Sequence, residues 1–120
     1  MVKSYEDLIV WQEAINLTQL VYSATQTFPK EERYGLTSQM RRAAVSVPSN
    51  VAEGHARETR GEFVQFLGHA RGSLAELDTQ LILAQKMRFL APRAAAELRQ
   101  QVAKVGKLLN GLRRSLTGSR

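Results

Sequence analysis

Cysteine is absent from this 120-residue chain, histidine occurs twice and proline three times. Without cysteine there are no disulfides and no thiolate metal sites, and a reducing compartment such as the cytoplasm is unopposed. Long apolar runs are missing as well, since charge interrupts every stretch well short of the ~20 residues that cross a bilayer. The start offers only Lys3 before Glu6 and Asp7, with no apolar core behind it, so it does not read as a signal peptide. Strand-like alternation is not found. The expectation is a soluble, cytoplasmic protein with no membrane contact, one domain over residues 1–120.

Acidic residues are scarce in one place only. Residues 1–87 hold nine Lys/Arg against ten Asp/Glu, whereas residues 88–120 hold eight against Glu97 alone, so the whole net charge of +6 sits on the last quarter. Arg99, Lys104, Lys107, Arg113 and Arg114 are the candidate contacts for a polyanion, RNA or DNA, or for an acidic protein partner. A solubilising helix face is the plainer alternative. Because no aromatic follows Phe89, contact with nucleic acid would be to phosphates, weak in sequence preference and steep in salt.

What is present is helical periodicity, four times over. Ser4 and Asp7 form a capping box that predicts the start of a first helix ending at Phe28-Pro29. That helix carries two apolar seams. One runs Leu8, Trp11, Ile15, Thr18, Tyr22, Thr25, the other Val10, Ala14, Leu17, Val21, Ala24, Phe28. Two stripes imply burial on more than one side. Either the surplus forms a subunit interface, with Val10, Leu17 and Val21 as its candidates, or the helix simply faces a wide core. Pro29 opens a short turn over Lys30, Glu31 and Glu32, and a second helix follows from Leu36 to the region of Gly54–Arg57.

Thr59-Arg60-Gly61-Glu62 is another capping box and predicts a long third helix to about Met87, a rod of roughly 42 Å. Gly68 and Gly72 inside it each cost about 1 kcal/mol against alanine, which predicts close approach of a neighbouring backbone. Ala91-Pro92 opens a fourth helix with the seam Ala95, Leu98, Val102, Val105, Leu109, Leu112, Leu116. The second helix carries the seam Leu36, Met40, Ala43, Val47, Val51 and the third the seam Phe63, Leu67, Ala70, Leu74, Leu77, Leu81, Ala84. Short connections and these seams predict an all-α, up-down-up-down antiparallel four-helix bundle. Only Thr117–Arg120 reads as a frayed tail.

The sharpest local feature is Ser46-Val47-Pro48-Ser49-Asn50-Val51-Ala52-Glu53-Gly54. It sets a proline inside the second helix, at a cost of about 3 kcal/mol or more. Ser46, Ser49, Asn50 and Glu53 are the candidates to satisfy the freed backbone groups. A polar seam with Arg42 is predicted to form a network of Arg42, Asn50 and Glu53 reaching Glu76. It would either fix register or line a ligand site.

Catalytic patterns are lacking. A carboxylate-bridged metal bundle needs Glu-x-x-His pairs, and His55-x-x-Glu58 runs in the reverse order. His69 reads as a residue at a seam edge rather than a ligand. Ser46 and Ser49 have no base in reach by sequence, and there is no phosphate-binding glycine loop. The reading is a protein without catalytic residues, metal or cofactor.

Asp7-Leu8-x-x-Trp11-Gln12-x-Ala14, Phe28-Pro29-x-Glu31, Gly35-Leu36-x-x-Gln39-x-Arg41-Arg42-Ala43, the Ser46–Gly54 run and Gly72-Ser73-Leu74-x-Glu76-Leu77 together resemble one family. It is the bacterial four-helix-bundle proteins called 23S rRNA-intervening-sequence proteins. The likeness covers the chain to about residue 90; the last helix fits only in pattern. It makes Arg42, Ser46, Pro48, Asn50, Glu53, Gly54, Gly72 and Glu76 a structural fingerprint. It implies a ring-like homo-oligomer, typically a pentamer, with no catalytic residues and no settled biochemical role. A related group, the accessory variability determinants of diversity-generating retroelements, forms basic pentameric barrels that bind a reverse transcriptase and nucleic acid. The expected function is therefore a homo-oligomeric scaffold binding nucleic acid through the basic last helix. A module docking an acidic protein, such as a nucleic-acid-processing enzyme, is the alternative.

Overall fold

The computed structural model describes residues 2–118. Ser4 and Asp7 do make the expected capping box, but it closes a single 3-10 turn over Tyr5–Asp7, and Leu8 then turns extended. Helix α1 (Ile9–Thr25) starts only after that break. A 3-10 turn at Lys30–Glu32 follows Pro29, and Gly35 precedes α2 (Leu36–His55). Helix α3 (Arg60–Lys86) is held at its start by the Thr59–Glu62 capping box. Helix α4 (Pro92–Thr117) begins with proline in its first turn, and Gly118 caps it in the left-handed conformation. The expected tail thus shortens to Gly118, while Ser119 and Arg120 lie outside the described residues.

Each helix packs beside two neighbours, α1 beside α2 and α4, and α3 beside α2 and α4, while the backbones of the diagonal pairs stand farther apart among the described residues. Thr18 meets Ala44, Ser46 meets Ser73, and Asp78 meets Arg99. Further along, Thr25 meets Arg41, Gly54 faces Phe63 and Gly106 faces Leu74, so numbers fall on one helix as they rise on the next and every sequential pair is antiparallel. The α3 rod of about 40 Å, 27 residues at about 1.5 Å each, sets the 43 Å long axis. No strand occurs among the described residues.

The core is the set of seams the periodicity marks. Met40, Val47 and Val51 on α2, Leu67, Leu77 and Leu81 on α3, and Val105 and Leu109 on α4 are fully enclosed. Burying each such side chain contributes about 1.5–3 kcal/mol. Phe28 and Phe89 stack at 5.7 Å and close the end where α1 leaves and α4 begins. Tyr5 and Trp11, 5.3 Å apart, close the other.

Helix α1 corrects the interface assignment. Val10, Leu17 and Val21 are 4%, 0% and 0% exposed, wholly within the protomer's own core. Residues so enclosed have no surface to give a second copy. The other seam is also largely occupied: Trp11, Ile15 and Thr18 lie half-buried against α2, and only Tyr22 is left open. The doubled seam arises because α1 fills the core with one stripe and flanks α2 with the other.

Proline and glycine bring two further corrections. Pro48 has no N–H, so the carbonyl of Ala44, one turn back, loses its helical donor. Its partner is Thr18 of α1, whose hydroxyl donates from 3.1 Å, rather than Ser46, Ser49, Asn50 or Glu53. Gly68 and Gly72 meet nothing within 4 Å where a side chain would begin, so no backbone approaches them closely. That approach occurs at Gly54, where a Cβ would lie 2.8 Å from the Phe66 Cβ and 2.9 Å from the Phe63 ring.

Candidate functional site

The polar seam of α2 assembles only in part. Asn50 Nδ2 donates to the Ser46 carbonyl (2.8 Å) and to Ser46 Oγ (2.9 Å), and Ser73 Oγ of α3 donates to the same Oγ from 2.8 Å. Small hydroxyls and one amide therefore tie α2 to α3 beside Pro48. The expected network of Arg42, Asn50, Glu53 and Glu76 does not form. Arg42 and Glu76 border one shallow cleft with Gln39, Ala43, Ser46 and Ser73, yet they make no ion pair with each other. Glu76 instead accepts from Gln80 Nε2 at 3.4 Å. Arg42 and Glu53 are exposed without an ion-pair partner among the described residues. Long charged side chains on an outer flank keep their water, whereas short ones reach across the helix contact.

The five cations of α4 do not form one open face. Arg99 holds Asp78 of α3 through two bonds, 2.8 and 3.2 Å, and this hydrogen-bonded charge raises its already high pKa. Lys104 leans the opposite way, with Nζ 3.4 Å from Glu13 Oε1 of α1. Gln101 joins it there, donating to the Glu13 carbonyl (3.0 Å) and to Oε1 (2.9 Å). Glu13 is accordingly held below the usual carboxylate range, first by the Gln101 hydrogen bond and further by Asn16 and Lys104, against desolvation. Arg113 is half-buried, its Nε shut from solvent with no partner. Lys107 and Arg114 alone of the five are exposed and unpaired among the described residues.

Sequence reasoning missed the partners because they stand on other helices. Asp78 and Glu13 look like ordinary solvated acids until α3 and α1 are placed beside α4. Thr18 did carry a signal, as one of two threonines in a mainly apolar seam. Arg41 carried none. It lies over the Tyr22 ring at 4.7 Å and donates through Nε to Thr25 Oγ1 (2.9 Å) and from its terminal nitrogen to the Tyr22 carbonyl (3.4 Å). His69 stacks edge-on against Phe66, and His55 against Phe63. No three His, Cys, Asp or Glu side chains gather to hold a metal ion among the described residues, and none of the helices there is long and apolar enough to cross a membrane.

These features define a small all-α protein built as a four-helix bundle. The chain belongs to the 23S rRNA-intervening sequence protein family, whose model matches residues 6–111 and so takes in most of α4 as well. It is also similar to a crystal structure from Bacteroides thetaiotaomicron VPI-5482, described as a protein with unknown function from the S23 ribosomal protein family. The two share 16% identity and a TM-score of 0.79, over 88% of this chain and 99% of that one. At that identity the likeness speaks for the fold alone. No curated protein matches the chain.

Proposed function

We propose that this protein is a non-catalytic, self-associating helical scaffold that holds nucleic acid by its phosphates. The observation that carries the reading is the charge of residues 88–120, eight cations against Glu97 alone. The pairs Arg99–Asp78 and Lys104–Glu13 narrow the contact surface on α4 to Lys107 and Arg114, with Arg113 beside them. Repetition of that small surface in an oligomer supplies the reach that two or three cations lack. Self-association falls to the outward stripe of α1, where Ile9 and Leu20 are both exposed.

The test joins two readouts. Lys107→Glu with Arg114→Glu should weaken binding of a mixed-sequence RNA or DNA and lower the salt slope by about two, one per lost phosphate contact. Subunit number by light scattering should stay unchanged. Ile9→Glu with Leu20→Glu should instead reduce subunit number. Undiminished binding by the first variant would exclude α4 as the contact, and retrieval by the wild type of a nuclease-resistant acidic protein partner that this variant loses would favour the docking alternative.

A further inference from the structure

Away from α4, the structure gathers cations with no acid among them. Two adjoining open clefts, of about 630 and 730 Å³, lie where the end of α1, the Lys30–Glu32 turn and the first turns of α2 meet. Arg33, Tyr34, Thr37 and Arg41 line both; Tyr22, Ser38 and Arg42 add to the first, Lys30 to the second. Four cations thus face this space, and neither lining contains a carboxylate. The nearby Glu32 is engaged with the Leu36 N–H at 3.0 Å.

The arginines are of two kinds. Arg41 is fixed: Tyr22 and Thr25 engage two of its five N–H donors, leaving the others for a ligand. Arg33 and Arg42 are exposed and unpaired by any acid among the described residues, free to close on an anion. Thr37 is only 8% exposed, and its hydroxyl has no hydrogen-bond partner among the described residues although it lines both clefts. That hydroxyl is open to the cleft rather than sealed in the core, and it shares the lining of the first cleft with three guanidiniums. Tyr34, 88% exposed with Arg33 5.7 Å from its ring, offers an open aromatic face at the rim.

We propose that this cleft binds a nucleotide phosphate, with Arg33, Arg41, Arg42 and Thr37 on the phosphate and Tyr34 stacking on the base. Guanidinium forks match phosphate oxygens in shape as well as charge, and a single exposed tyrosine accepts any base. The nucleotide comes either free or as part of a single strand. The site needs nothing from Lys107 or Arg114, so it stands or falls separately from the reading of α4.

Calorimetry on the full chain in the Lys107→Glu/Arg114→Glu background separates the two. The probes are inorganic phosphate, AMP and a short mixed-sequence single-stranded oligonucleotide. Arg33→Gln with Arg42→Gln should weaken nucleotide binding tenfold or more and lower its salt slope by about two. Tyr34→Ala should weaken it about fivefold or more, while Tyr34→Phe retains it. All three cleft positions changed, Arg33, Tyr34 and Arg42, lie on the surface, and Arg41 is left in place to brace Tyr22. Equal binding of AMP and oligonucleotide identifies a free-nucleotide site; binding of the oligonucleotide alone identifies a strand. Absence of binding by both, or binding indifferent to Arg33 and Arg42, overturns the proposal. So does a change in subunit number on Arg33→Gln/Arg42→Gln, which would make the cleft a self-association face.

Discussion

The Thr18 hydroxyl of α1 lies 3.1 Å from the Ala44 carbonyl of α2, the one carbonyl that Pro48 deprives of its helical donor. The same oxygen is 2.9 Å from Ala14 O in its own helix, so one proton serves two acceptors. A proline defect in one helix is thus answered from its neighbour, and α1 and α2 are tied at the point where α2 is weakest.

Thr18→Val keeps the shape and removes the donor. It should destabilise the protein by about 1–3 kcal/mol, the cost of a buried unmet carbonyl. Thr18→Ser should cost far less. In a Pro48→Ala background the restored N–H can serve Ala44, so the penalty of Thr18→Val should shrink. Urea unfolding of the four corners of this cycle measures the coupling; additive effects would show that Thr18 does not answer the proline.

Gly54→Ala should destabilise by about 1–3 kcal/mol, because its Cβ would sit 2.8 Å from a Phe66 Cβ that cannot rotate away. Gly72→Ala should do the opposite and stabilise by about 1 kcal/mol, since its surroundings are open and the helix gains propensity. Thermal melts of both variants decide the matter, and equal signs would refute the contrast.

Arg88 sits at φ 65°, the left-handed position after α3, with Arg88 N–H bonded to Gln85 O and Phe89 N–H to Ala84 O. That is a Schellman ending, in which glycine is the usual occupant. Arg88→Gly relieves the crowded Cβ and should raise stability by about 0.5–1 kcal/mol net of the greater freedom of the unfolded chain. The change removes no contact with Glu13, Asp78 or the core. A lowered melting temperature would contradict it.

Glu13 gives a pH dependence with a definite sign. Its carboxyl titrates below the ordinary value of 4.5 in the folded chain, chiefly through the Gln101 hydrogen bond. The stabilisation is therefore complete above the ordinary carboxylate range and is lost as pH falls through the lower folded value. Wild type should exceed Glu13→Gln in melting temperature near neutrality, and the two should converge on acidification below that range. Parallel curves across the titration would sink the assignment.

Sequence alone determined what each helix shows along its own axis. Seams three and four residues apart fixed which side of α2, α3 and α4 is buried, capping boxes marked Ser4 and Thr59, and Pro48 announced a broken backbone bond. These are local matters, set by a 3.6-residue turn and by the chemistry of a few side chains. Distances between helices are not local. Only the packed bundle brings Thr18 to Ala44, makes Gly54 rather than Gly72 the point of close helix approach, and pairs Arg99 and Lys104 with acids far along the chain. It also encloses Val10, Leu17 and Val21, and it sets Arg33, Arg41 and Arg42 around one cleft. A periodic pattern says which way a side chain points, while the register and spacing of neighbouring helices decide what it meets.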